Sequence, residues 1–480
     1  MLFPTFSFLF LFLPITFLIF YVFSLKFKKF SVVTILLTAS FIFYLLPNYS
    51  HAHVILSSIF VNFLLSRQIL LRNKQTGKKI LVIGTIFNLS VIGYYKYAFF
   101  ASDIFNSVFD SNWFVAEKLL PVGISFYTFQ QIAFLVDTYK YGNTQYKLSH
   151  YSLFVLFFPQ LIAGPIVHHS QLMPQIASLN KKLFNWDMFN IGLLFLCVGV
   201  FKKIILADTF ARIANPVFAS VDNGATLSMT DSWLGAIAYT LQLYFDFSAY
   251  SEMAIGLGLM FGVKLPLNFF SPYKAASIVE FWRRWHMTLS AFLRDYLYIP
   301  LGGNQKGKFR KYINLFLTML LGGLWHGAGW GFIFWGALHG TYLIINHFSR
   351  YCGLSQYLPK TFSIIITFIA VVFAWVFFRA ESLDGAINMI IAMVALTDTP
   401  NQFFIPYQLF FIFCGLGIVF GLPNVNQTLN YEGVDTPTAQ LTEKWKCLSI
   451  KPGIAFALGG LVGLTIMFMP EPTVFIYFNF

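Results

Sequence analysis

Long apolar runs, separated by short polar and mostly basic stretches, follow one another along the whole chain. The first is MLFPTFSFLFLFLPITFLIFYVF. Others lie near 31–49, 53–66, 80–100, 120–139, 150–167, 188–207, 233–262, 312–346, 361–378, 384–396, 406–422 and 453–469. A helix that spans a bilayer needs about 20 apolar residues, and many of these runs approach that length. A membrane β-barrel would show alternation in segments of roughly ten residues instead. The pattern predicts an all-α, polytopic transmembrane protein.

Several runs are interrupted. PVGISFYTFQ (121–130), FPQLIAGPI (158–166) and DYLYIPLGG (295–303) mix proline or glycine with polar residues. Irregular backbone at membrane depth is tolerated only when buried in protein or lining a cavity. Re-entrant segments around a central cavity are therefore expected, with ordinary kinked helices as the plainer alternative. The first run has no basic leader and is too long for the core of a cleavable signal. Lys26, Lys28 and Lys29 follow it, so the positive-inside rule places this loop in the cytoplasm and the N-terminus outside. The basic loop 67–79 should share the cytoplasmic side, and the acidic stretch 103–110 should lie outside. The direction of the run ending at Lys202 and Lys203 stays open, as do the helix count and topology between 168 and 232.

Composition sharpens the class. The 480 residues are 57% hydrophobic and only 11% charged, and 60 are phenylalanine; soluble proteins carry about 25% charged residues. The net charge of +13 falls mostly in short loops, which points to membrane orientation and anionic small molecules, with no nucleic acid as partner. Four cysteines without CxxC spacing indicate neither a disulfide framework nor a zinc site, and no metal is expected.

The densest chemistry lies in 281–340, FWRRWHMTLSAFLRDYLYIPLGGNQKGKFRKYINLFLTMLLGGLWHGAGWGFIFWGALHG. His286 and His326 each follow a tryptophan. An ionisable residue inside hydrocarbon is a functional candidate by default. Glycines around His326 allow a bulky acyl group to approach the ring, and imidazole can accept a proton near neutral pH. A histidine that only bonds neighbouring helices together is the alternative. Around His286, Glu280 can face Arg283 or Arg284 at i,i+3 and i,i+4. Arginine's planar fork suits phosphate. Lys274, Arg294 and the loop containing Lys306, Lys308, Arg310 and Lys311 add cations on the expected cytoplasmic face. An interfacial helix with snorkelling arginines would look similar. Asp137, Asp246 and Glu252 each need a partner in a low-dielectric setting; salt bridges to these arginines are the plain expectation.

YTLQLYFDFSAYSEMAIGLGLMFG, LNFFSPYKAASIVEFWRRWHMTLSAFLRDYLYIPLGGN and LTMLLGGLWHGAGWGFIFWGALHG closely resemble the membrane-bound O-acyltransferase (MBOAT) superfamily. PVGISFYTFQ, FFPQLIAGPI and VFKKIILAD resemble its subfamily of bacterial alginate and peptidoglycan O-acetylation membrane subunits. The likeness runs from about residue 121 onward; the first hundred residues fit by hydropathy only. It implies one integral-membrane domain over 1–480, with N-terminal helices at 1–115, a catalytic core at 116–350 and C-terminal helices with an aromatic tail at 351–480. It implies a tunnel through the bacterial inner membrane, with His326 catalytic and His286 its companion. Acetyl-CoA would be the cytoplasmic co-substrate, and Arg283, Arg284, Arg294, Lys306, Lys308, Arg310 and Lys311 would hold its phosphates. The acyl group would pass to a periplasmic SGNH-type acetyltransferase partner with a Ser-His-Asp site, and on to a polysaccharide.

The tail MPEPTVFIYFNF resembles the aromatic C-terminal tails of that subfamily. Lys444, Lys446 and Lys451 place the loop before the last apolar run in the cytoplasm, so the tail emerges outside. It reads as an interfacial aromatic anchor or as a relay in which the Tyr477 phenol carries the acetyl group. Three other functions remain open: D-alanyl transfer to teichoic acid, a transporter or flippase, and a non-catalytic scaffold of an exopolysaccharide complex. A transporter would be expected to show inverted repeats, which the sequence lacks.

Overall fold

The computed structural model describes residues 3–26, 32–142, 146–179, 184–354, 357–395, 399–434 and 452–469. Most of the described residues are helical, and none lies in a strand. Five helices among them are long and apolar enough to cross a membrane: 7–24, 49–71, 74–109, 186–222 and 360–379. The chain divides into two compact units, 1–197 with 250–266 and 432–437, and 198–249 with 267–431 and 438–480.

In the first unit the helices are α1 (Leu13–Lys26), α2 (Val32–Asn48), α3 (Ala52–Leu71), α4 (Lys74–Ile92), α5 (Ala98–Phe109), α6 (Ile124–Tyr141), α7 (Leu148–Leu156), α8 (Phe158–Leu161) and α9 (His169–Ser178). Between apolar helices hydrophobicity has little left to drive, so polar side chains act as glue. Asn62 and Asn88 exchange amide hydrogen bonds of 3.1 and 2.7 Å, and Gln131 donates to Ser58 while accepting from Tyr151. The irregular backbone expected near 158–166 is present after α8, and it is buried. Gly123 makes the close approach there possible. Its φ is +73°, and a Cβ would sit 2.8 Å from the Leu161 carbonyl oxygen. Only glycine takes that conformation and that spacing together.

α10 (Trp186–Phe201) runs through a π-helical turn, Lys202–Ala207, into α11 (Asp208–Asp222). These helices, with α9, make up most of the described part of 168–232. α12 (Met229–Met260) follows. The second unit then contains α13 (Ile278–Arg284), α14 (Met287–Leu293), α15 (Gly307–His326), α16 (Trp330–Tyr351), α17 (Lys360–Arg379), α18 (Leu383–Val394), α19 (Pro406–Gly421) and α20 (Val425–Thr428). α21 (Pro452–Met467) is the last described helix.

The apolar run 312–346 is two helices, not one. It breaks after His326, where Gly327 and Gly329 are extended and poor helix formers. α15 and α16 then pack closely through small residues: a Cβ on Gly336 would lie 2.5 Å from the Met319 carbonyl oxygen. That contact leaves no room for a side chain, and it holds His326 against α16.

Candidate active site

α13 begins with Ser277, whose hydroxyl accepts from the Glu280 amide at 3.2 Å. Glu280 reaches back to the Ala276 amide at 2.8 Å, much as in a capping box. The same carboxylate grips Arg284 through Nη2 at 2.7 Å and Nε at 3.0 Å. Arg284 also donates to the Phe270 carbonyl. A double backbone tie joins this turn to the preceding segment: Phe270 N–H donates to Arg284 O and Met287 N–H to Asn268 O, both at 2.9 Å.

His286 sits in the turn between α13 and α14. Its φ of 42° and ψ of 54° are left-handed, a strained choice for a residue with a Cβ. The ties to 268–270 hold it there. Asn268 also sets the ring. Its Oδ1 faces the Thr288 amide, which can only donate, and the Thr288 hydroxyl at 2.9 Å. The atom facing His286 Nδ1 at 3.0 Å is therefore an acceptor. Nδ1 carries the proton and Nε2 keeps its lone pair.

His326 closes α15. Its ring centre lies 6.4 Å from that of His286. Around the pair stands an aromatic box. Trp325, Trp335 and Phe378 lie 4.9, 5.0 and 5.2 Å from His326, and Phe247 meets His286 edge-on at 4.8 Å. His286 is 0% exposed and His326 3%. Two imidazoles, one with its tautomer set by an amide, in a buried aromatic box can exchange a proton with a hydroxyl brought beside them.

The structure thus brings His286 and His326 together. The predicted cations have other surroundings. Arg284 clamps the turn through Glu280, and Arg294 pairs with Asp295 at 2.7 Å. Arg283, Lys306, Lys308 and Arg310 are exposed. Lys308 lies 4.0 Å over the Tyr351 ring, and Lys311 approaches His347 at 3.4 Å. Tyr477 lies outside the described residues, as do Lys444, Lys446 and Lys451.

The buried carboxylates correct an expectation. Asp246 pairs with Lys203, not with an arginine, at 2.8 Å, and Lys203 also meets Asp208 at 2.9 Å. Asp137 meets His169 Nδ1 at 3.2 Å. Sequence reasoning also missed Asn268, within LNFFSPY, and His339, within WGALHG. The second His-Gly pair, 13 residues after the first, was the available signal for His339.

The described residues thus form a helical membrane protein with two buried histidines side by side. The family model for the membrane-bound O-acyltransferase family matches residues 79–385, which include both histidines. The chain is 37% identical to the peptidoglycan O-acetyltransferase of Helicobacter pylori, with 100% of this chain and 98% of the relative covered. It is 42% identical to the probable alginate O-acetylase of Azotobacter vinelandii, covering 83% and 79%. It is 28% identical to the teichoic acid D-alanyltransferase of Streptococcus thermophilus, covering 47% and 56%. The chain belongs to the membrane-bound O-acyltransferase family. It is a multi-pass membrane protein and an acyltransferase.

Proposed function

We propose that the chain takes an acetyl group from cytoplasmic acetyl-CoA and passes it across the bacterial inner membrane for O-acetylation of a polysaccharide. The acceptor best supported is peptidoglycan, because a relative that matches along the whole chain is a peptidoglycan O-acetyltransferase. The alginate relatives cover less of the chain, and the D-alanyl relatives cover 47% and 54% of it. The observation that carries the reaction type is the buried His286–His326 pair.

Thioester transfer needs an activated acceptor oxygen, aligned reactants and excluded water. In the proposed step His326 takes the proton from the acceptor hydroxyl as its oxygen attacks the thioester carbonyl carbon. The carbon–sulfur bond then breaks, and coenzyme A leaves as the thiol with that proton. His286, oriented by Asn268, shares the proton work. The acceptor is the Tyr477 phenol. A phenol, with an unperturbed pKa near 10, ionises more readily than an alcohol, and its ester is a good donor to the serine of a periplasmic SGNH-type partner. Exposed Arg283, Lys306, Lys308 and Arg310 suit the phosphates of coenzyme A on the cytoplasmic side.

His326→Ala and Tyr477→Phe test this in the cells where the protein acts, by base-released acetate from the polymer and by chain abundance. Both variants should reach near-normal abundance, and acetylation should fall by at least the roughly 100-fold typical of a lost general base. Full acetylation with Tyr477→Phe removes the relay. Wild-type acetylation with His326→Ala removes the base. Release of D-alanine in place of acetate establishes the aminoacyl reaction instead.

A further inference from the structure

The third buried histidine of the second unit has no part in the chemistry above. His339 lies one turn after Trp335 on α16. The Trp335 ring centre is 5.0 Å from that of His326 and 4.8 Å from that of His339. His339 is 0% exposed and Trp335 1%. The Trp282 indole donates to His339 Nδ1 at 3.3 Å. An indole nitrogen only donates, so Nδ1 accepts and the proton of His339 sits on Nε2. Neither that Nε2–H nor the Trp335 Nε1–H has a hydrogen-bond acceptor among the described residues. Trp375, stacked on Trp335 at 5.7 Å and 18°, fixes the plane of its indole.

Buried donors without acceptors are uncommon in native proteins and call for an explanation. Two of them lie on neighbouring rings of α16, one of those rings 5.0 Å from His326, and each offers a hydrogen. The complementary ligand is a group that only accepts. In a thioester the carbonyl oxygen is such a group, and it gains negative charge as the acceptor oxygen attacks.

We propose that His339 Nε2–H and Trp335 Nε1–H bind the carbonyl oxygen of the acyl thioester and hold the oxyanion of the tetrahedral intermediate. As the new carbon–oxygen bond forms, the carbonyl π pair moves onto that oxygen. It returns when the carbon–sulfur bond breaks. His326 and His286 move the proton; His339 moves none. Donors aimed at developing charge lower turnover when removed and leave ground-state binding alone. This assignment rests on the acyl-CoA reading above.

The test uses the full chain in native membranes with their polymer, measuring release of free coenzyme A thiol at varied acetyl-CoA. An asparagine amide reaches the place of Nδ1 and a glutamine amide that of Nε2. His339→Asn keeps an acceptor for Trp282 and loses the donor. His339→Gln keeps the donor and loses that acceptor. The Asn variant should lose roughly 100-fold in kcat with KM within about threefold, and the Gln variant less than about tenfold. Trp335→Phe, which keeps a ring and loses Nε1–H, should repeat the Asn pattern. The reverse order, Gln worse than Asn, shows that His339 only anchors Trp282 and overturns the proposal. So does unchanged kcat in His339→Asn and Trp335→Phe, and so does a loss confined to KM. If wild-type membranes release no thiol from acetyl-CoA, the acyl-CoA reading fails and the oxyanion site falls with it. Thiol release in the wild type, with the order reversed, removes the oxyanion site alone.

Discussion

His286 combines two roles in one position, a left-handed backbone and an oriented imidazole. The roles separate by substitution. Glycine occupies φ near +42° without steric penalty, whereas alanine keeps the Cβ that makes it unfavourable. Both remove the ring. His286→Gly and His286→Ala should therefore share a loss of polymer acetate of about 100-fold or more. They should differ in abundance, with the Gly chain at or above the Ala chain by up to about 1 kcal/mol of stability. Quantitative blotting of membranes beside the acetate assay reads both. Equal abundance would mean that the turn relaxes once the imidazole is gone.

The α15–α16 hairpin positions three of the rings that matter: His326 at the end of one helix, Trp335 and His339 along the other. Its spacing depends on Gly336, which meets the α15 backbone near Met319 and Leu320. Gly336→Val must push the helices apart or twist them. Overpacking of this kind typically destabilises by about 1–3 kcal/mol. Abundance and polymer acetate should fall together, unlike the pattern for His326→Ala, where acetate falls alone. A Gly336→Val chain at normal abundance and full activity would show that the hairpin spacing has slack.

A polytopic chain places apolar side chains outward as well as inward. Phe413, Phe410 and Phe6, for example, are all more than 60% exposed, as lipid contact requires. Its interior then has to pair whatever charge it contains. The Lys203–Asp208–Asp246 cluster is the clearest case, with all three residues 6% exposed or less. Removing the Lys203 ammonium takes a cation from beside two buried carboxylates. Breaking a buried ion pair in this way costs about 3–5 kcal/mol. Lys203→Met should strongly reduce the folded chain recovered from membranes, whereas Lys203→Arg, which keeps the charge, should retain more of it. Detergent-extracted yield and thermal aggregation temperature measure this. Equal yields for the two variants would show that the cluster is dispensable for folding.

Hydropathy alone determined the all-α membrane class, because a bilayer demands long apolar helices and the sequence has to spell them out residue by residue. The His286 and His326 motifs were legible for a related reason: ionisable residues within apolar runs are few and conspicuous. The Glu280–Arg284 pair was also readable, being local, one helical turn apart. The rest depended on contacts distant in sequence. Lys203 and Asp246 are 43 positions apart, so the partner of a buried carboxylate could not be read from its neighbours, and the expectation of an arginine failed. The break after His326 is invisible to hydropathy, since the glycines there are as apolar as the flanking helices. Asn268 carries no signal in the sequence; two backbone hydrogen bonds draw its segment beside His286. His339 became notable only when packing set its ring next to Trp335 with a proton facing no acceptor. Local periodicity is written in the chain, but hydrogen-bond partners are chosen by three-dimensional proximity, and only the tertiary structure decides that.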